Sequence, residues 1–285
     1  MIEPVIDGPC HRHEPANGPR QAVLAAAWRH AHQAANDCGV EVRQISGPDV
    51  AIGQEVVREV WGPQQVPQSN LLHALSHAGN AVLAAVHNGT PVGVVFGFLG
   101  WSGGLHLHSH MTAVTQGHQS QGIGYALKSW QRALCLEHGV TEMRWTYDPL
   151  IARNAYFNQV KLGGQVNAFF PDFYGAMDDS VNAGDHSDRF EVSWRLDSER
   201  VAAALEGHER GPVTAGEEVA IPADFDALRR TDPAASREIR LAAREQFMRL
   251  FAAGLRPEWG ENGYVFAAPA GASMQRNETV SPTHG

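Results

Sequence analysis

Cysteine is scarce in this chain. The three present, Cys10, Cys38 and Cys135, are odd in number and lack metal-ligand spacing, so neither a disulfide framework nor a thiolate metal site is expected to organise the fold. Positive charge is also in short supply. Lys and Arg total 22 against 31 Asp and Glu, a formal net charge of -9. No global basic field exists to hold a polyanion, and nucleic acid is not an expected partner. Long apolar runs are missing too. The opening MIEPVIDGPCHRHEP has no apolar stretch of a secretory leader, and nothing approaches the length of a membrane span. The expectation is a cytoplasmic protein that does not use the membrane. What remains is ordinary: 43% hydrophobic and 19% charged residues over 285 positions. That is enough chain for one large domain with extensions and a core needing no staples.

Hydrophobic periodicity divides the chain. Residues 1 to about 20 are rich in Pro, Gly and His without a period and read as a loose leader. The Ala-rich run to Asp37 reads as a helix stopped at Gly39. Val40–Ile45 alternates as a strand, and Val50–Trp61 and Leu71–His77 read as helices. Ala81–Val86 and Pro91–Leu99 are strands joined by Asn88-Gly89, a strong hairpin signal. Leu105–Val114 is a third strand, and Tyr125–His138 a helix ended by Gly139. Met143–Tyr147 is a strand, Asn154–Leu162 a short helix, and Val166–Phe170 and Phe190–Leu196 two more strands. Beyond Ser198 the pattern gives helices over 198–206 and 234–253, a last strand over 264–268, and a polar tail from Gly271. A meander followed by βαβα implies an α/β fold with a mixed sheet and helices on its faces.

The sharpest local signal is HQSQGIGYALKSWQRAL. A strand ends near Val114, a glycine loop follows, and a helix opens near Gly124. Outward-facing N–H groups and the helix dipole favour an anion there, and Gly122 and Gly124 let it come close. A tight turn into a helix would read the same way. Placed between a strand and an amphipathic helix, Gln119-x-x-Gly122-x-Gly124 resembles the acyl-CoA signature of the GNAT (GCN5-related N-acetyltransferase) superfamily. Asn154-Ala155 with Lys161-Leu162-Gly163 is similar to the same superfamily's helix along the CoA arm. The stretch HSHMTAV…GIGYALK…WTYDPL…NAYFN…KLGG…FYGAM…SDRFEVSW resembles a subgroup of predicted GNAT acetyltransferases.

The resemblance implies a GNAT acyltransferase domain over 40–197, between an N-terminal extension, 1–39, and a C-terminal extension, 198–285. It implies acetyl-CoA or another acyl-CoA, succinyl-CoA included, as donor and no metal. The pyrophosphate would lie on Gln119, Ser120, Gln121, Gly122, Ile123 and Gly124. Ala113 and Val114 would take the pantetheine, and Asn154 and Phe157 the CoA arm. Relatives of the subgroup are often encoded beside N-acylamino-acid racemases, which points to a small-molecule amine, such as an amino acid, as acceptor. A homodimer stays open. Two rival readings are a non-catalytic acyl-CoA-binding module and a GNAT-fold acyl-CoA decarboxylase. The first is motivated by the residues after Ser198 and by one departure. Many relatives carry a thiolate-protonating Tyr where this chain has Phe157-Asn158-Gln159, and Tyr156 points about 200° from Asn158 at α-helical pitch.

His106, His108 and His110 alternate along one strand and share a face. Same-face neighbours are roughly 7 Å apart, too far for three to meet one zinc at about 2.1 Å. In GNAT enzymes this strand runs under the transfer site, so the resemblance offers His108, eleven residues before Gln119, as general base and His110 as the next choice. A structural histidine is the alternative for each. Asp148 ends a strand and could orient a histidine or hold an ammonium, or cap the turn before Pro149. Arg153 could grip a carboxylate or a CoA phosphate, or lie in solvent. Arg189 could bind an acceptor carboxylate, or pair with Asp188. Tyr174, with Phe169, Phe170 and Phe173, could wall the acceptor pocket, or pack in a core. Lys128 and Arg132 read as the wet face of their helix or as contacts to outer CoA phosphates.

Overall fold

A computed structural model describes residues 18–175, 185–208 and 210–269. The chain forms two compact units. The first takes the residues up to 60, with 66–98 and 111–141. The second takes 61–65, 99–110 and everything from 142. Of the leader expected over residues 1 to about 20, residues 1–17 lie outside the described residues, as does the tail from Gly271, and 18–20 open a helix.

In the first unit α1 (Gly18–Asp37) precedes β1 (Glu41–Gln44). Then come α2 (Val50–Trp61), α3 (Ser69–His77), β2 (Val82–His87) and β3 (Thr90–Gly100). The next strand, β4 (His106–Val114), changes unit after His110, and α4 (Ile123–Glu137) follows. The strand order here is β1-β2-β3-β4. Helix α4 can lie close on β3 because position 93 is glycine. A Cβ there would stand 2.9 Å from Ile123 Cγ2 and 3.2 Å from Leu127 Cδ1. Helix α1 packs on α4, with Trp28 and Trp130 edge to face at 5.3 Å and Tyr125 Oη 2.8 Å from His30 Nε2. This corrects the expectation of a wet α4 face, since Lys128, Ser129, Gln131 and Arg132 are buried. Periodicity within α4 cannot reveal that another helix covers its polar side.

In the second unit β5 (Glu142–Tyr147) leads to α5 (Ala152–Tyr156), a π-turn over Phe157–Lys161, β6 (Gln165–Phe170) and β7 (Arg189–Arg195). The strand order is β4-β5-β7-β6. Trp145, Tyr147, Phe190, Val192 and Trp194 alternate into the core. Trp194 is fully buried and its Nε1 donates to the Leu162 carbonyl at 2.6 Å. The helix expected over 154–162 is therefore two pieces, and the wider i→i+5 turn invalidates α-helical angles between Tyr156 and Asn158.

The C-terminal extension holds more than two helices and a strand. It comprises α6 (Glu199–Leu205), β8 (Glu217–Ala220), α7 (Phe225–Thr231), α8 (Pro233–Ala252), β9 (Arg256–Trp259) and β10 (Gly263–Ala267). The three strands make a separate antiparallel sheet in the order β8-β10-β9. EEVA and RPEW, the residues of β8 and β9, are too short and polar to show a strand period. Phe247 and Tyr264 are fully buried and join Phe190 and Phe169 in one aromatic core.

Candidate active site

In the first unit the loop after β4 presents a ready anion cradle. Gly122, at φ 90°, is the residue before α4, and Ser120 also has positive φ, 63°. Alternating handedness of this kind turns successive N–H groups toward one point, and the helix N-terminus adds its dipole. Gln119, Ser120, Gln121 and Gly122 are exposed, while Ile123 is buried against β3 and anchors the helix. Gln119 Nε2 donates to the Val114 carbonyl at 3.2 Å and ties the loop to its strand. Gln121 Nε2 donates to the Gly117 carbonyl at 3.0 Å. A Cβ on Gly124 would meet open space. No neighbouring residue therefore requires a glycine at that position. Ala113 is buried and Val114 half-buried at the strand end.

In the second unit the histidine face resolves into separate roles. His106 is buried, with Nδ1 2.8 Å from the Gly104 carbonyl, over Gly100, where a Cβ would stand 2.6 Å from its Nε2. It packs the β3–β4 turn. His108 and His110 face each other at 6.0 Å between ring centres. Desolvation of its strand face lowers the His110 imidazole below the ordinary histidine range. The parallel ladder of β4 with β5 pairs Leu107 with Met143 and His108 with Arg144. By contrast β5 pairs with β7 along its whole length. The β4–β5 register thus ends at His108. Arg144, beside it, is committed. Its Nε and Nη2 donate to Glu142 at 2.8 and 3.0 Å, and Nη1 to the Ser102 carbonyl at 2.7 Å.

Two residues on, Thr146 shares the face of Arg144, and its Oγ1 lies 3.1 Å from Tyr174 Oη. The Arg189 guanidinium sits 5.4 Å over the Tyr174 ring. Of the two readings of Arg189, the structure shows contact with Asp188 through the main chain: Arg189 Nη1 donates to the Asp188 carbonyl, while the carboxylate accepts from Arg244 at 2.5 Å. The histidines, Thr146, Tyr174 and Arg189 thus gather in one unit.

Asp148 is not part of that group. Its Oδ1 caps Leu150 N–H at 3.0 Å, and both oxygens accept from Arg240, at 3.1 and 2.7 Å. The turn-capping alternative is what the structure holds, and a carboxylate so engaged is unsuited to orienting a base. Arg153 pairs with Asp226 at 2.7 Å while remaining largely exposed. Asn154 and Phe157 are half-buried on α5 and the π-turn. Asn158 and Gln159 are buried. Asn158 Oδ1 accepts from Trp145 Nε1 at 3.1 Å, and Gln159 Nε2 donates to Tyr147 Oη at 3.2 Å. The Tyr264 hydroxyl donates to the Pro149 carbonyl at 2.7 Å, so Tyr147, 3.3 Å away, must donate to Tyr264. These groups serve the core and cannot deliver a proton to a thiolate. Among the described residues no group of three or more His, Cys, Asp or Glu is arranged to hold a metal. Nor is any helix long and apolar enough to cross a membrane.

Residues 51–159 match the model of the Acetyltransferase (GNAT) family. The chain carries a GNAT acetyltransferase domain. The match spans both the glycine loop and the β5–α5 region, and it places the protein among acyltransferase enzymes. Solved structures of similar architecture include yncA of Salmonella typhimurium with acetyl-CoA, at 21% identity and TM-score 0.46, covering 56% of this chain and 96% of that one. Another is the diaminobutyrate acetyltransferase of Paenibacillus lautus with diaminobutyric acid and coenzyme A, at 16% identity and TM-score 0.43, covering 56% and 97%. A third is the IAA acetyltransferase of Bacillus cereus, at 15% and 0.43, covering 54% and 97%. No curated protein sequence matches the chain.

The chain departs from sequence expectation mainly where distant segments meet. Arg240, Arg244, Asp172 and Asp185 carry no local motif, and their pairings span up to 92 residues. Sequence reading therefore had no signal for them.

Proposed function

We propose that this chain transfers an acyl group from an acyl-CoA to the amine of a small molecule, through residues 40–197. The reading is carried by one observation beyond family membership: the β4–β5 ladder ends at His108, within the strand that runs on into the glycine loop. A parted pair of strands offers backbone donors to a thioester carbonyl, and an imidazole beside the gap can take a proton. The amine nitrogen attacks the thioester carbonyl carbon, a C–N bond forms, and the C–S bond breaks. The amine proton passes to His108. CoA leaves as thiolate and takes a proton from solvent, since Asn158 and Gln159 are held in the core. Backbone N–H groups at Gly122–Gly124 hold the pyrophosphate. Tyr174 and Arg189 border the acceptor, and an amino acid, with its carboxylate, suits the guanidinium of Arg189.

The test is release of free thiol from acetyl-CoA and succinyl-CoA, each with pooled amino acids and with simple amines. Thiol release that requires an amine supports the reading. Retained CoA binding without release would favour a binding module. Carbon dioxide from malonyl-CoA without amine would favour a decarboxylase.

A further inference from the structure

Within the second unit the C-terminal extension grips the segments that carry Tyr174 and Arg189. Arg240 and Arg244 lie four residues apart and so face the same way on α8. Arg240, 1% exposed, donates from Nε and Nη2 to Asp185 at 2.8 and 2.7 Å. Its Nη1 and Nη2 also reach Asp148, and its guanidinium rests 4.9 Å over the Phe225 ring. Burial opposes its charge, but Asp148 and Asp185 hold the proton more firmly than usual. Arg244 donates from Nε and Nη2 to Asp188 at 3.0 and 2.5 Å and lies 3.1 Å from Asp172. Asp172 in turn pairs with His186 at 2.8 Å.

These four carboxylates stand at the end of β5 and on both described flanks of the β6–β7 connection, Asp172–Gly175 and 185–188. The flanks are bolted together. Phe173 N–H donates to the Ser187 carbonyl at 3.0 Å. Ser187 Oγ accepts from Tyr174 N–H at 3.0 Å and donates to the Gly175 carbonyl at 2.8 Å. Tyr174 is thereby presented to Thr146, on the face of the sheet that carries Arg144 and, in register with it, His108.

We propose that Arg240 and Arg244 are positioning residues for acceptor recognition: they fix the flanks that hold Tyr174 and Arg189 over the histidine-bearing face. The inference rests on the acyl-transfer reading for its substrate and on the ion pairs for its geometry. A guanidinium serves two carboxylates in fixed directions, and an ammonium cannot. Arg240→Lys keeps the charge and loses the fork. Arg244→Gln, at a less buried site, guards against a variant that simply unfolds.

The experiment uses the full chain and three measurements on wild type, Arg240→Lys and Arg244→Gln. Amide hydrogen exchange at Phe173 and Tyr174 should accelerate about tenfold or more in both variants, without change in α4. The half-saturating concentration of pooled amino acids, read by thiol release from acetyl-CoA, should rise about fivefold or more while kcat stays within about twofold. The acetyl-CoA dissociation constant, by calorimetry, should not move. Unchanged exchange overturns the proposal. So does a loss confined to melting temperature, or a parallel fall in kcat and acetyl-CoA affinity. Absence of thiol release by wild-type protein overturns the acyl-transfer reading and the acceptor role with it, and the exchange arm then still decides whether the arginines order the segment.

Discussion

A histidine on a strand face has three destinies in this chain, and its neighbours choose among them. His106 is buried over Gly100 and bonded to its own turn. His110 has an imidazole lowered by desolvation, which makes it the weaker base. His108 stands where the β4–β5 ladder ends. If His108 is the base, His108→Gln should lower kcat by about 10² to 10⁴ with CoA affinity nearly intact. His110→Gln should cost far less. The limb of kcat/KM that reports deprotonation of the base should vanish only in the His108 variant. Loss of turnover in His110→Gln alone would transfer the role to that residue. The polar residues at 158 and 159 illustrate the opposite outcome. Their side chains look available in sequence and are spent on Trp145 and Tyr147.

At the scale of the element, the glycine loop and α4 form one device. Ser120 and Gly122 in left-handed conformation aim the N–H groups, Gly93 seats the helix, and Ile123 locks its first turn. If the pyrophosphate lies on this loop, as proposed, an aspartate at position 122 sets a negative charge against it. CoA affinity of Gly122→Asp, by calorimetry, should fall at least tenfold, about 1.4 kcal/mol. Unchanged affinity in a folded variant would remove the loop from the CoA site. The glycine pattern was legible in sequence because close approach and positive φ are local demands. The π-turn after α5 was not legible, and the partners of its buried Asn158 and Gln159, Trp145 and Tyr147, lie on another element.

At the scale of the molecule, burial of Lys128 on α4 makes stability depend on pH. Burial lowers the Lys128 amine to about 7 from the ordinary 10.5. Between those values the unfolded chain carries the proton and the folded chain does not, so rising pH favours the fold. The slope approaches about 1.4 kcal/mol per pH unit for one proton. Above about 9 the buried Cys135 thiol, raised to about 12, opposes it. Denaturant midpoints at pH 7 and 9 should therefore rise in wild type. Lys128→Met should lose that increment, and an equal rise in both proteins would show that Lys128 is charged in the fold.

Sequence alone determined the element order of the region matched to the acetyltransferase family, the position of the glycine loop and the shared face of the three histidines. Each follows from a period, a glycine or an alternation that acts over a few residues. Tertiary structure alone decided which polar side chains are free to do chemistry. Asp148 becomes an anchor because Arg240 arrives from 92 residues away. Arg189 turns from Asp188 because Arg244 takes that carboxylate, and Lys128 is buried on a helix face that reads as wet in sequence. The three-stranded sheet of the extension exists because Phe247, Tyr264 and Phe266 find a core that β8 and β9, read alone, do not announce. Such outcomes rest on contacts between residues far apart in the chain, and a short window of sequence carries no record of a distant partner.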